Sequence, residues 1–163
     1  MRNDYEFKLL GATLDDAIGE SYDKVAKVLG LSYPGGPNVE KLAKDGVDYY
    51  DLPLPVNDGT YNFSYSGLKS SVLNLVNKEK MHGHKILKEN LAYSFQKVAV
   101  MEICIKVNKA LEEYNVKQLV VAGGVSANNY LREQLENVCQ KYNTKVTVPS
   151  LKYCTDNAAM IGA

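Results

Sequence analysis

The chain has 163 residues, enough for one domain with its own hydrophobic core and too few to suggest two. Its apolar share of 45% and charged share of 23% are those of an ordinary globular protein. With 19 basic and 19 acidic side chains the formal charge is +0, which argues against a module that grips nucleic acid unaided, since phosphate neutralisation supplies most of such affinity; a local patch, or binding shared with a partner, stays open.

In chain order, Phe7 to Leu10 is a short, mostly apolar run ending at Gly11 and predicts a strand. Asp15 and Asp16 stand where acidic residues favour a helix start. Ile18, Tyr22, Val25, Ala26 and Leu29 follow at helical spacing, and Gly30 fits just past the end. Tyr33-Pro34-Gly35-Gly36-Pro37 predicts a tight loop, because two prolines fix φ and two glycines permit positive φ. Asn38 can cap a short helix after it. From Val47 to Tyr65 the prolines and Asp58-Gly59 suggest extended chain with a turn at Asp58-Gly59. Ser66 to Val76 reads as a helix, and the polar, glycine-containing stretch Lys78 to Lys85 as a loop. Leu91, Phe95, Val98, Ile103, Val107 and Leu111 then place one apolar stripe on the longest helix. Leu119 to Ala122 is a continuous apolar run stopped by Gly123-Gly124, the pattern of a fully buried strand. A helix from about Ala127 to Tyr142, a strand at Lys145 to Val148 and a helix starting near Asp156 follow. Strands alternating with helices predict an α/β fold.

No apolar stretch is long enough to span a bilayer, and Met1 is not followed by a signal-peptide pattern, so no membrane association is expected. Cys104, Cys139 and Cys154 form neither a disulfide framework nor a zinc knuckle; they read as reduced thiols of a cytoplasmic protein.

Chemistry concentrates at four places. The first is Gly123-Gly124-Val125-Ser126-Ala127-Asn128, where a strand ends in two glycines and opens into a helix. In α/β sheets ligands bind beyond the C-terminal ends of strands, and two glycines let a flat group such as adenine or its ribose lie against the backbone. Asn128, placed in the first turn of the helix, has a donor and an acceptor to present. The plain alternative is a tight turn without a ligand. The second is Cys154-Thr155-Asp156-Asn157, where Asp156 is either a helix cap or a carboxylate ligand to a divalent metal. His82 and His84, with Glu79 nearby, could chelate a metal in principle, and otherwise are solvated loop histidines. The third is Glu20, Asp23 and Lys24 with the Tyr33–Pro37 loop. Asp23 is a solvated carboxylate by default, and gains interest if the glycine loop folds back over a ligand. In the fourth, Asn62 to Lys69, a cap plus core aromatics account for most residues, while Lys69 could meet a phosphate.

Five segments together resemble one family. Gly19 to Lys27, Tyr33 to Pro37, Phe63 to Lys69, Gly123 to Asn128 and Cys154 to Met160 match the TsaD, or Gcp-like, family in order and at similar separations. The resemblance implies an α/β fold of the actin/Hsp70/sugar-kinase (ASKHA) type, with this chain mainly the second lobe of a two-lobe nucleotide-binding fold. It implies an acyltransferase that moves threonylcarbamoyl from threonylcarbamoyl-adenylate to the exocyclic amine of a tRNA adenosine beside the anticodon. It places substrate or nucleotide contacts at Asp23, Gly36, Glu40, Gly123, Gly124 and Asn128, and a ligand to iron or zinc at Asp156. The implied partners are tRNA, TsaB and TsaE in a complex, and a TsaC-type enzyme supplying the adenylate; ATP is the related adenine nucleotide.

Two departures from the family pattern stand out. Ala12 occupies a position that is usually acidic, and the His-x-x-x-His metal pair and Ser-Gly-Gly-His phosphate loop are absent from these residues. The expectation is therefore that residues 1–163 are roughly the second half of the family's domain, without the N-terminal lobe that carries the histidine pair, and that these residues alone are inactive. Two alternatives are a non-catalytic scaffold of the TsaB kind and a metallopeptidase, the family's older assignment. Against the latter, the sequence has no His-Glu-x-x-His helix.

Overall fold

The computed structural model describes residues 7–54 and 58–154. Five helices carry most of the chain: α1 (Ile18–Leu29), α2 (Gly35–Ala43), α3 (Ser66–Met81), α4 (Lys88–Tyr114) and α5 (Asn129–Gln140). Two short strands, β1 (Gln118–Val120) and β2 (Lys145–Thr147), pair in parallel with Leu119 opposite Val146, and α5 is the crossover between them. The α/β class read from the sequence holds. None of the described helices is long and apolar enough to cross a membrane.

The 27-residue helix α4 is the spine. Its first half packs Leu91, Ala92, Phe95 and Val98 into a core with Tyr22, Val25 and Leu29 of α1, Val39 of α2 and Val72 of α3. Its second half turns Val100, Ile103 and Val107 toward Leu131 and Leu135 of α5 and toward Leu119 and Val121 beside the sheet. The predicted stripe thus serves two cores in succession. Polar side chains at the junction are buried with partners: Glu102 accepts the Ser64 N–H at 2.9 Å, and Lys106 donates to the Thr60 carbonyl at 2.9 Å.

Several boundaries differ from expectation. Phe7 to Leu10 is not a strand; Phe7 and Leu9 are exposed, and the nearest pairing is a single parallel bridge between Thr13 and Phe63. The run at Leu119 is not buried on both sides. Leu119 and Val121 pack against α4 and α5, while Val120 on the opposite face is 64% exposed. α3 continues five residues past the expected end at Val76, because Lys78, Glu79 and Lys80 are good helix formers whatever their polarity, and the chain turns only at Gly83, with φ +72°. The loop therefore begins at His82 rather than Lys78. α2 begins at Gly35, inside the predicted loop, and Pro37 is tolerated in its first turn, where the missing N–H would have had no intrahelical partner. Asn38 does not cap this helix; its amide donates to the carbonyls of Ser32 (2.8 Å) and Pro34 (3.0 Å), tying the loop down.

Other expectations are met. Gly30 ends α1 in the left-handed conformation, with its N–H and that of Leu31 bonded back to Lys27 and Ala26. The Asp58-Gly59 turn is present, with Gly59 at φ +74° and Asp58 accepting the Thr60 N–H. Asp15 and Asp16 precede α1 but do not cap it. Asp15 reaches 50 residues along the chain to the start of α3, and Asp16 pairs with Lys24 and Lys69. The helix expected near Asp156 lies outside the described residues.

Candidate functional site

α1 and α2 form one wall of a cleft of about 520 Å³, and the Gly123–Asn128 turn forms the other. That volume suits a small organic ligand. Asp23, Gly36, Glu40, Gly123, Gly124 and Asn128 all line it. Six residues separated by up to 105 positions therefore meet at one surface.

On the first wall the chain from Ser32 folds back onto α1, the condition under which Asp23 gains interest. Asp23 Oδ1 accepts the Gly35 N–H at 2.8 Å, satisfying a free donor at the start of α2. The contact depends on Gly35 lacking a side chain: a Cβ there would fall 2.6 Å from Asp23 Cα and 2.8 Å from Ala26 Cβ. Gly36 differs. A Cβ at Gly36 would meet nothing within 4 Å among the described residues, so its backbone faces open cleft.

On the second wall Gly123 has φ +91° and ψ 171°, a conformation essentially reserved for glycine. Gly124 opens a single 3-10 turn (Gly124–Ala127), and a Cβ on it would come no closer than 4.0 Å to the Cys154 carbonyl oxygen. Asn128 is the cap of α5 rather than a member of its first turn. Its Oδ1 accepts the Leu131 N–H at 2.8 Å, and its Nδ2 donates to Gln96 Oε1 at 3.0 Å. The donor and acceptor expected to face a ligand are thus both engaged within the protein, and Asn128 is 6% exposed. Its place in the cleft is to hold the turn.

Glu40 ties the two walls together. Its Oε1 accepts from the backbone N–H (2.8 Å) and side-chain Nδ2 (2.9 Å) of Asn129, at the start of α5. Among the described residues no donor reaches its other oxygen. The cleft lining therefore carries the carboxylates of Asp23 and Glu40 and includes neither lysine nor arginine. Such a surface favours hydroxyl and amine donors over phosphate.

The remaining candidates lie elsewhere. Lys69 is not available to a phosphate: its ammonium is 2.7 Å from Asp16 Oδ2, and Lys24 holds the other Asp16 oxygen at 2.6 Å. These hydrogen bonds hold the Asp16 carboxyl below its ordinary range. His82 bonds the Lys78 carbonyl at the end of α3, and His84 pairs with Glu79 at 3.0 Å, both in an exposed turn outside the cleft. Among the described residues no three His, Cys, Asp or Glu side chains gather as a metal site. Asp156 lies outside the described residues. Sequence reasoning missed Gln96, the partner of Asn128, and took Tyr22 for core alone. Tyr22 is both core and cleft lining, and its place in the apolar stripe conceals the second role.

A sequence model of the tRNA N6-adenosine threonylcarbamoyltransferase family (TsaD) matches residues 1–163. Two curated relatives bear that name. One, from Staphylococcus carnosus, is 50% identical over all of this chain and 48% of its own length. Another, from Mycoplasma capricolum, is 54% identical over 96% of this chain and 50% of its own. The chain spans about half the length of the curated relatives it matches. Among solved structures, a HypF described as phosphate- and nucleotide-bound superposes on 86% of this chain with a TM-score of 0.60 at 20% identity, covering 18% of its own chain. HypF from T. kodakarensis covers 88% with a TM-score of 0.63 at 18% identity, again over 18% of its own chain. The shared fold agrees with the ASKHA-type α/β class expected from the sequence.

Proposed function

This chain belongs to the tRNA N6-adenosine threonylcarbamoyltransferase family, and from that premise we propose that its cleft holds the adenosine part of threonylcarbamoyl-adenylate during transfer of threonylcarbamoyl to the exocyclic amine of a tRNA adenosine beside the anticodon. The adenylate is the leaving group. Gly36, Gly123 and Gly124 admit the flat nucleoside against bare backbone, and Asp23 and Glu40 accept hydrogen bonds from its donors. Asn128 keeps the glycine turn in register.

One observation carries this reading: the six residues quoted for the resemblance line a single cleft whose open faces lie where the glycines lack side chains. The lining bears two carboxylates and no cation, which fits a nucleoside whose phosphate is neutralised elsewhere. The described residues supply no ligand set for iron or zinc. Asp156 as a metal ligand therefore remains part of the family reading, and no step is routed through the ion. The same reading makes the protein cytoplasmic and gives it tRNA, TsaB, TsaE and a TsaC-type enzyme as partners.

The test is a tRNA modification assay with the full-length protein, its partners and threonylcarbamoyl-adenylate, alongside calorimetry with ADP. Modified adenosine together with ADP binding supports the transferase. ADP binding without modification favours the non-catalytic scaffold, and absence of both sinks the assignment of the cleft.

A further inference from the structure

Tyr22 stands one position before Asp23 on α1, lines the same cleft and is 1% exposed. Its ring is fixed edge-to-face against Phe95, with centroids 5.0 Å apart and planes at 76°. Its hydroxyl is buried and, among the described residues, has no hydrogen-bond partner. Buried tyrosine hydroxyls ordinarily find one, because an unpaired polar group inside the protein is a net cost to folding. Phenylalanine would give the same ring packing without that cost. Packing therefore accounts for the ring and leaves the hydroxyl unexplained.

The surroundings say what kind of group would complete it. Burial, then the nearby Glu40 carboxylate and Tyr130, push the phenol well above its ordinary pKa, so at neutral pH it keeps its proton and can donate. Glu40 spends one carboxylate oxygen on Asn129 and has the other uncommitted among the described residues. A fixed donor and a fixed acceptor beside one cleft match a group that both accepts and donates, which is the property of an alcohol. We propose that the Tyr22 hydroxyl is a specificity contact of this cleft, donating a hydrogen bond to a sugar hydroxyl of the bound nucleoside that itself donates to Glu40. The proposal rests on the reading that the cleft holds adenosine, and adds to it a residue that recognises ribose. The contact is screened from bulk water, so it discriminates more sharply than an exposed one.

Full-length protein and its Tyr22→Phe variant would be titrated by calorimetry with ADP, 2′-deoxy-ADP and 3′-deoxy-ADP, and melted without ligand. The expected result is ADP binding about 5- to 10-fold weaker in the variant, the range of one hydrogen bond. One of the two deoxy analogues should bind both proteins equally, having lost the hydroxyl that Tyr22 contacts. The ligand-free variant should melt at the same temperature or higher, because the unpaired hydroxyl is gone. Equal ADP affinity in the two proteins overturns the proposal while leaving the adenosine reading intact. So does a loss of equal size for all three nucleotides, or a lower melting temperature without ligand, which would mean that the hydroxyl has a structural partner. Wild-type protein that binds none of the three overturns the adenosine reading and the proposal together.

Discussion

Two clusters of polar side chains, one at the start of α3 and one in the cleft, use the same chemistry to different degrees of completion. At the first, Asp15 Oδ2 accepts from the hydroxyls of Ser64 (2.5 Å) and Ser66 (2.7 Å), and its Oδ1 from the N–H groups of Tyr65 (2.8 Å) and Ser66 (3.2 Å). Nothing at that junction is left over, and a helix start is fully accounted for. In the cleft, Asp23 and Glu40 also cap helices borrowed from elsewhere in the chain, yet each does so through one oxygen, and Tyr22 donates to nothing described. Saturation separates the two. A carboxylate whose acceptor sites are filled by its own fold is structural, whereas one with capacity remaining beside a cavity can also serve a ligand.

The glycines divide in the same way, and the largest expected effect comes from the one the fold itself requires. Gly35→Ala would drive a methyl group to 2.6 Å from Asp23 Cα, so the start of α2 must lift from α1. The expected loss is about 1–3 kcal/mol of stability, as for other overpacked positions, together with weaker ADP binding once Asp23 moves. Thermal melting and calorimetry on the full-length variant check both. Unchanged stability would mean that the close contact is not what selects glycine here.

Gly124→Val sharpens the contrast from the other side. Its side chain enters open cleft and, at a residue whose φ is negative, adds no left-handed strain. Stability should stay within roughly 1 kcal/mol, in line with substitutions that disturb no packed group. ADP affinity should nevertheless fall by an order of magnitude or more, because a branched side chain stands where the nucleoside must lie. A variant that binds ADP normally would place the nucleoside elsewhere. A variant that unfolds would move Gly124 into the same class as Gly35.

What the sequence made legible follows the same division. Local rules found α1 and its Gly30 terminus, the long α4 and the parallel pair around α5, because each is decided within a few residues. The resemblance brought the six cleft residues forward, since motifs record positions without needing the path between them. Partnerships across the chain stayed hidden. Lys69 looked free for phosphate because Asp16, its partner, is 53 positions away, and Gly35 looked like a loop residue because Asp23 is 12 positions away. The polar end of α3 was read as a loop since polarity was taken for irregularity, although lysine and glutamate favour helix. Val120 was read as buried because an apolar run carries no record of which face of its strand is covered.

The smallest effect is expected at the saturated junction, where pH provides the test. Burial alone would raise the pKa of Asp15, but its hydrogen bonds to Ser64, Ser66 and the two backbone N–H groups outweigh that and bring it to about 2, below the ordinary 3.8. A carboxyl whose pKa is lower in the folded than in the unfolded state stabilises the fold fully above the unfolded value, and that contribution disappears as pH falls through the folded one. Asp15 should therefore contribute a constant amount above about pH 5 and lose it between about pH 4 and pH 2. Because the carboxylate is exposed, water screens the interaction and the contribution is modest. Asp15→Asn keeps an acceptor for the Tyr65 N–H but removes the charge, so its melting temperature should lie below that of the wild type at neutral pH. The gap should close as the wild-type carboxyl takes up its proton. Asp58, also held at about 2 through its hydrogen bonds to Thr60 and Lys106, titrates in both proteins and cancels in the difference. Melting curves of the two proteins from pH 2 to pH 7 give the answer. A gap of the same size at every pH would mean that Asp15 acts through shape alone, and saturation of its oxygens would then no longer distinguish the junction from the cleft.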